Sequence, residues 1–189
     1  VKSKEIAFHH SQTFLANSEM LTLVFPSRVI GTVAVAGYFV DYGDVQATDD
    51  IGNPTGVVSN SSYLLSASYA TPIGTRASLG LTYKFFAQRF NNCSGFCNGL
   101  SIASGSSSAL DVGLQYALPT AFPVTLGMSV RNLGPKLQVK DQPQADPLPR
   151  LIQVGASSRL PIASLAAAGA ALDLSVDLMS APAPGGSSL

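Results

Sequence analysis

The sequence predicts an all-β protein, an antiparallel up-and-down β-barrel that crosses a membrane with its strands. Three observations carry this reading. Apolar and polar residues alternate with period two in many short segments bounded by Gly, Pro, Asn and Ser. Charged residues make up only 12% of the 189 residues while 46% are apolar, and mean hydropathy is +0.27, a balance that suits lipid better than water. Short connections alternate with long ones along the chain, as they do where tight turns lie on one side of a membrane and long loops on the other.

The alternation places eight strands. They fall at about residues 19–26, 29–42, 62–71, 76–89, 108–118, 122–133, 150–160 and 169–179. In the fourth, Ala77, Leu79, Leu81, Tyr83 and Phe85 oppose Ser78, Gly80, Thr82 and Lys84. The fifth sets Leu110, Val112, Leu114 and Tyr116 against Asp111, Gly113, Gln115 and Ala117. In the sixth Val124, Leu126, Met128 and Val130 oppose Thr125, Gly127, Ser129 and Arg131. The seventh opposes Ile152, Val154 and Ala156 to Gln153, Gly155, Ser157 and Arg159, and the eighth opposes Leu172, Leu174, Val176 and Leu178 to Asp173, Ser175 and Asp177. Most reach the roughly 9–11 residues that a tilted strand needs to cross a bilayer. Residues 1–18 read as a strand or loop leading into the barrel, 19–179 as the barrel strands, and the Pro, Gly and Ser-rich 180–189 as a tail or loop.

Short connections are expected at Pro26–Arg28, Pro72–Thr75 and Pro119–Ala121, and long ones at Gly43–Ser61, Asn91–Ser107 and Gly134–Pro149. That path puts Tyr38, Phe39, Tyr42, Tyr63, Tyr83, Phe85, Phe86 and Phe90 at long-loop ends, and Phe25, Tyr69, Tyr116 and Phe122 at short-turn ends. Two aromatic bands flanking aliphatic residues are what the two membrane interfaces select. Aromatic residues near strand ends also occur in soluble cores, and the last three strands add little to the upper band.

Other classes find little support. No run of roughly 18 uninterrupted apolar residues exists, so a helical span is not expected. The 11 basic and 11 acidic residues are scattered, which argues against nucleic acid as a partner. No catalytic motif is present, and neither an enzyme activity nor a cofactor is expected. Asp44 with Asp49, Asp50 and Asn53 lacks the spaced ligands and closing Glu of a calcium loop, and a solvated turn is the better reading. His9 and His10 are adjacent, so on a strand they face opposite ways and do not chelate one ion. Cys93 and Cys97 enclose Ser-Gly-Phe in a long loop expected outside the cell, where oxidising conditions make them a disulfide candidate.

The polar face carries Lys84, Asp111, Gln115, Arg131, Gln153, Arg159, Asp173 and Asp177, all expected to face the lumen. They either line a conduction path or neutralise one another in a plugged interior, and the usual pairing of buried ionisable groups favours the second. Gly80, Gly113, Gly127 and Gly155 share that face, leaving room for a plug or bound molecule, or relieving strand curvature.

Four stretches carry a resemblance. They are Glu5-Ile-Ala-Phe-His-His10; the run from Tyr42-Gly-Asp-Val through Asp49-Asp-Ile-Gly-Asn-Pro-Thr-Gly56; Leu110-Asp-Val-Gly-Leu-Gln-Tyr116; and Leu126-Gly-Met-Ser-Val-Arg-Asn-Leu-Gly-Pro135 leading into Pro147-Leu-Pro149. In order and spacing the chain resembles the central part of the PorV/PorQ family of outer-membrane barrels, relatives of the FadL-type channels for hydrophobic solutes. The resemblance implies a FadL-like barrel of roughly fourteen strands in the bacterial outer membrane, with a plug-like segment before this region and further strands after it. It also implies a structural or carrier role, as in type IX secretion, with lipid or lipopolysaccharide and other outer-membrane or secreted proteins as partners. A passive FadL-like channel for hydrophobic small molecules is the alternative.

Overall fold

The computed structural model describes residues 3–14, 16–95, 104–120, 123–139, 145–161 and 171–180. Strands form wherever the period-two pattern runs, and the described residues contain no helix. In chain order they are β1 (Glu5–Gln12), β2 (Asn17–Ser27), β3 (Gly31–Thr48), β4 (Pro54–Ile73), β5 (Ala77–Gly95), β6 (Ser104–Ala117), β7 (Val124–Leu133), β8 (Leu137–Val139), β9 (Ala145–Asp146), β10 (Leu151–Pro161) and β11 (Ala171–Ser180). Each of the eight expected strands has its counterpart, and β1 adds another at the N-terminal side. All belong to one antiparallel sheet whose main path is β1-β2-β3-β4-β5-β6-β7-β10-β11. The small β8 and β9 pair beside it, with β8 bonded to β6 through Gly105↔Val139 and Ser106↔Gln138.

Along the main path every neighbour is the next long strand in sequence and runs the opposite way. Among the described residues β1 pairs with β2 alone and β11 with β10 alone, so the sheet is not closed. Its two border strands, first and ninth along the path, point in the same direction.

The strands outrun their expected limits on the long-loop side. Residues 43–61 were expected to form a connection, yet β3 and β4 continue to pair from Asp44↔Ser59 to Thr48↔Pro54, leaving only a turn around Asp49–Asn53. The cause is a bulge between Asp41 and Asp44, with Gly43 at φ 68°. One extra residue puts the alternation out of phase and disguises the strand beyond it. Likewise β5 runs on to Gly95 and β6 begins at Ser104, so the backbone of Cys93 is strand rather than loop. Pro26 and Pro72, expected to open turns, lie in strand ends opposite Thr32 and Ser78.

Among the described residues no second layer covers the sheet. Among the described residues only Val40 and Ala109 are buried apolar side chains, 8% and 3% exposed. The accessible surface is 13697 Å², against roughly 8,500 Å² for a compact globule of this mass. This sheet has two faces and no interior of its own.

Candidate functional site

Cross-strand partners point to the same side of a sheet, so the register sorts side chains into two faces. One face is apolar across the whole path: Leu23, Val35, Ala67, Tyr83 and Leu110 form one row, and Phe25, Val33, Tyr69, Leu81, Val112, Val130 and Ile152 another. The other face carries Ser, Thr, Gly and Gln with Lys84, Asp111 and Arg131, while Glu19, Asp41, Asp44 and Arg89 lie on the apolar side toward its long-loop end. Exposure runs opposite to that of a water-soluble fold. In β4 Tyr63, Leu65, Ala67 and Tyr69 are exposed while Leu64, Ser66 and Ser68 are half-buried, and in β5 Leu81, Tyr83 and Phe85 are exposed while Thr82 and Lys84 are not. In a single layer such asymmetry means that the sheet curls toward its polar side.

The most connected group on the sheltered face lies where β6 meets β7. The register shifts between Leu110↔Leu133 and Val112↔Val130, so Arg131 and Asn132 together oppose Asp111. Asn132 takes the left-handed conformation at φ 60°, a geometry that Asn tolerates better than most residues. Its amide N–H donates to Asp111 Oδ1 at 2.8 Å, its Oδ1 accepts from Lys84 Nζ at 2.5 Å, and its Nδ2 donates to the Pro149 carbonyl at 2.7 Å. Lys84 Nζ also stands 2.9 Å from Asp111 Oδ1, with the two side chains 13% and 17% exposed. Arg131 Nε lies 3.9 Å from Asp111 Oδ2 and is half-exposed. Ser107 Oγ donates to the Pro135 carbonyl at 3.0 Å, so the β7–β10 connection is held to the sheet at two points. Asn132, the hub, entered the sequence reading only within the Leu126–Pro135 stretch and was not counted among the polar-face residues; the left-handed tolerance of an Asn before Leu-Gly was the available signal.

Beside this cluster the sheltered face drops into a groove of about 470 Å³ that includes Gln115, Gln153 and the expected glycines. Gly80 faces Gly113, and Gly127 faces Gly155 across their ladders. A Cβ on Gly127 meets nothing within 4 Å, and on Gly80 or Gly113 its nearest contact is at 3.9 Å. Local crowding in the sheet therefore does not demand glycine there, and the residues keep the groove deep.

Of the polar residues expected in a lumen, the structure brings Lys84, Asp111 and Arg131 together and sets Gln115 and Gln153 in the groove. The side chains of Arg159, Asp173 and Asp177 lie outside the described ones, although the backbones pair as Arg159↔Asp173 and Gly155↔Asp177. The proposed Cys93–Cys97 bridge also lies outside the described residues. Among described residues no group of three or more His, Cys, Asp or Glu side chains is close enough to hold a metal.

On the apolar face the register places Tyr63, Tyr69, Tyr83, Phe85 and Tyr116. The Phe39 and Tyr63 rings meet at 4.9 Å, Arg89 lies 5.6 Å over the Tyr63 ring, and the Tyr69 hydroxyl donates to the Ile30 carbonyl at 2.6 Å. Tyr38 departs from the expected aromatic band. It pairs with Met20 and Leu64 on the opposite face, because neighbours on a strand point opposite ways and Phe39 occupies the apolar side. Tyr83 sits in the middle of the apolar face rather than at its border, opposite Ala67 and Leu110. Tyr42 falls in the bulge of β3, and Phe122 lies outside the described residues.

The described residues define an all-β arrangement of antiparallel up-and-down strands in one sheet that is not closed, with an exposed apolar face and a sheltered polar one. A scan of protein-family models finds no match to the chain, and a search of curated proteins finds none either.

Proposed function

We propose that the chain forms part of the wall of a bacterial outer-membrane barrel of the PorV/PorQ type, a structural or carrier component that docks other surface or secreted proteins. The observation that carries the membrane reading is the inverted polarity, in which exposed side chains are apolar and sheltered ones are charged and hydrogen-bonded. The dimensions agree. On β5 the apolar side of the strand extends from Ala77 to Ala87, about 33 Å along the strand and about 25 Å in height at a tilt of ~40°, the height of a barrel's apolar band.

The docking role draws on the β3–β4 hairpin, which continues past the band. From Ser61 to Pro54 it extends about 23 Å along the strand, with Asp44, Asp49 and Asp50 beside the exposed Val45 and Ile51. Affinity capture of the folded protein from detergent-solubilised outer membrane is the test. Specific co-purifying proteins are expected, and recovery of the native chain alone overturns the carrier role.

The glycine-floored groove favours a second reading, a passive channel for hydrophobic solutes. Tracer uptake into liposomes bearing the protein supports that reading, and an interior packed solid counts against it.

A further inference from the structure

The apolar face is not uniformly bumpy. Two adjoining hollows of about 480 and 470 Å³ share Leu21, Leu65 and Phe85 as walls and Gly37 as floor. Ala67 floors the first, and the second ends at Arg89. Together they make one furrow from Tyr83, near mid-height of the apolar band, to Arg89 at its long-loop border. Six residues of β5 separate these ends, about 20 Å along the strand and about 15 Å in depth at a barrel's tilt of ~40°. That is about one leaflet of a hydrocarbon core roughly 30 Å thick.

The charges at the furrow's end are unequal. Glu19 lines the same hollow from β2, three strands and about 14 Å across the sheet from β5, with His10 Nδ1 3.8 Å from its carboxylate, and the Asp41 carboxylate accepts from the Gly43 amide at 2.9 Å. Arg89 rests on the Tyr63 ring with no carboxylate within 4.0 Å among the described residues. An exposed guanidinium at the top of an apolar furrow one leaflet deep is complementary to one class of molecule, an acyl chain carrying a phosphate headgroup.

We propose that this furrow is a binding site for a phosphorylated lipid of the leaflet on the long-loop side, with an acyl chain over Gly37 and Ala67 and the phosphate on Arg89. The site rests on the barrel reading above. The test compares the wild-type protein with Arg89→Gln, Ala67→Phe and, as control, Arg76→Gln in the turn at the opposite end, each reconstituted in phosphatidylcholine vesicles with and without phosphatidylglycerol. Phosphatidylglycerol is expected to raise the thermal midpoint of the wild type and of Arg76→Gln. That shift is expected to vanish in Arg89→Gln, and native mass spectrometry is expected to lose the lipid-bound peak in Ala67→Phe. Insertion without a phosphatidylglycerol-dependent shift, or a shift that survives Arg89→Gln, overturns the lipid site alone. Failure of the wild type to insert into any vesicle overturns the barrel reading, and the site falls with it.

Discussion

The side chain of Asn132 donates a hydrogen bond to the Pro149 carbonyl at 2.7 Å, joining the end of β7 to the residues that open β10. Asn132 belongs to the Asn-Leu-Gly run and Pro149 to the Pro-Leu-Pro run, so the bond ties the two ends of the β7–β10 connection together. Asn132 supplies the left-handed residue of the bulge and three hydrogen bonds at once. Replacing it with Ala is expected to destabilise the fold by about 2–4 kcal/mol, from left-handed strain of about 1–2 and lost hydrogen bonds of about 1 each. Asn132→Gly keeps the backbone geometry and should recover the strain part. Urea unfolding from lipid vesicles measures both, and equal losses would contradict the assigned geometry.

Lys84 and Asp111 form a largely buried pair, so removing one partner leaves the other charge stranded. Lys84→Met is expected to lower stability by about 3 kcal/mol or more, and Asp111→Leu similarly, whereas the double variant should recover most of the loss. Additive losses in a double-mutant cycle would show that the pair is not coupled.

The two faces respond differently to an added charge. Leu81→Arg places a cation on the apolar face near mid-height and is expected to cost about 2–4 kcal/mol of stability in vesicles. Ser129→Arg, beside the open glycine groove, is expected to cost less than about 1 kcal/mol. If the two losses are alike, or if the chain folds in water without lipid or detergent, the membrane reading fails.

Gly31 closes the β2–β3 turn at φ 93°, and a Cβ there would stand 2.5 Å from the Ala70 carbonyl oxygen. Gly31→Ala is expected to destabilise by at least about 1–2 kcal/mol. Gly127→Ala, with open space around its Cβ, serves as the comparison and should cost little in the same unfolding assay.

Asp49 holds the tip of the β3–β4 hairpin. The Asn53 amide, above all, together with the Asn53 side chain and the Ile51 and Gly52 amides, holds its carboxyl below the ordinary value of 3.8. A lowered folded value means that the ionised form stabilises the turn throughout the range above 3.8, and that this contribution is lost as pH falls through the folded value. Exchange protection at the Ile51 and Asn53 amides should stay constant from neutral pH down to about 4 and fall below that. In Asp49→Ala it should be low at every pH.

Period two made the strands and most of their faces legible, because each of Leu79, Leu81, Tyr83 and Phe85 needs only its neighbours to be assigned a side. Reading failed where one residue is added. The bulge at Asp41–Asp44 concealed the outer half of the β3–β4 hairpin, and the bulge at Arg131–Asn132 concealed the residue that organises the polar cluster. Tyr38 was misplaced for a simpler reason: proximity to a strand end locates an aromatic residue in height but does not say which face it takes. Lys84 and Asp111 were recognisable as polar-face residues, yet their meeting depends on the β5–β6 register, which single-strand patterns do not fix.

The shared direction of β1 and β11 sets an arithmetic condition on any completed cylinder. Bringing these two borders together directly would create a parallel seam in an otherwise antiparallel wall. Antiparallel closure needs an odd number of intervening strands, the first and last both running against β1 and β11. A second copy inserted in the same sense offers nine strands of the main path, the right parity, but its borders point the wrong way and leave two parallel seams. Self-association in one membrane orientation therefore cannot complete a cylinder by antiparallel pairing alone.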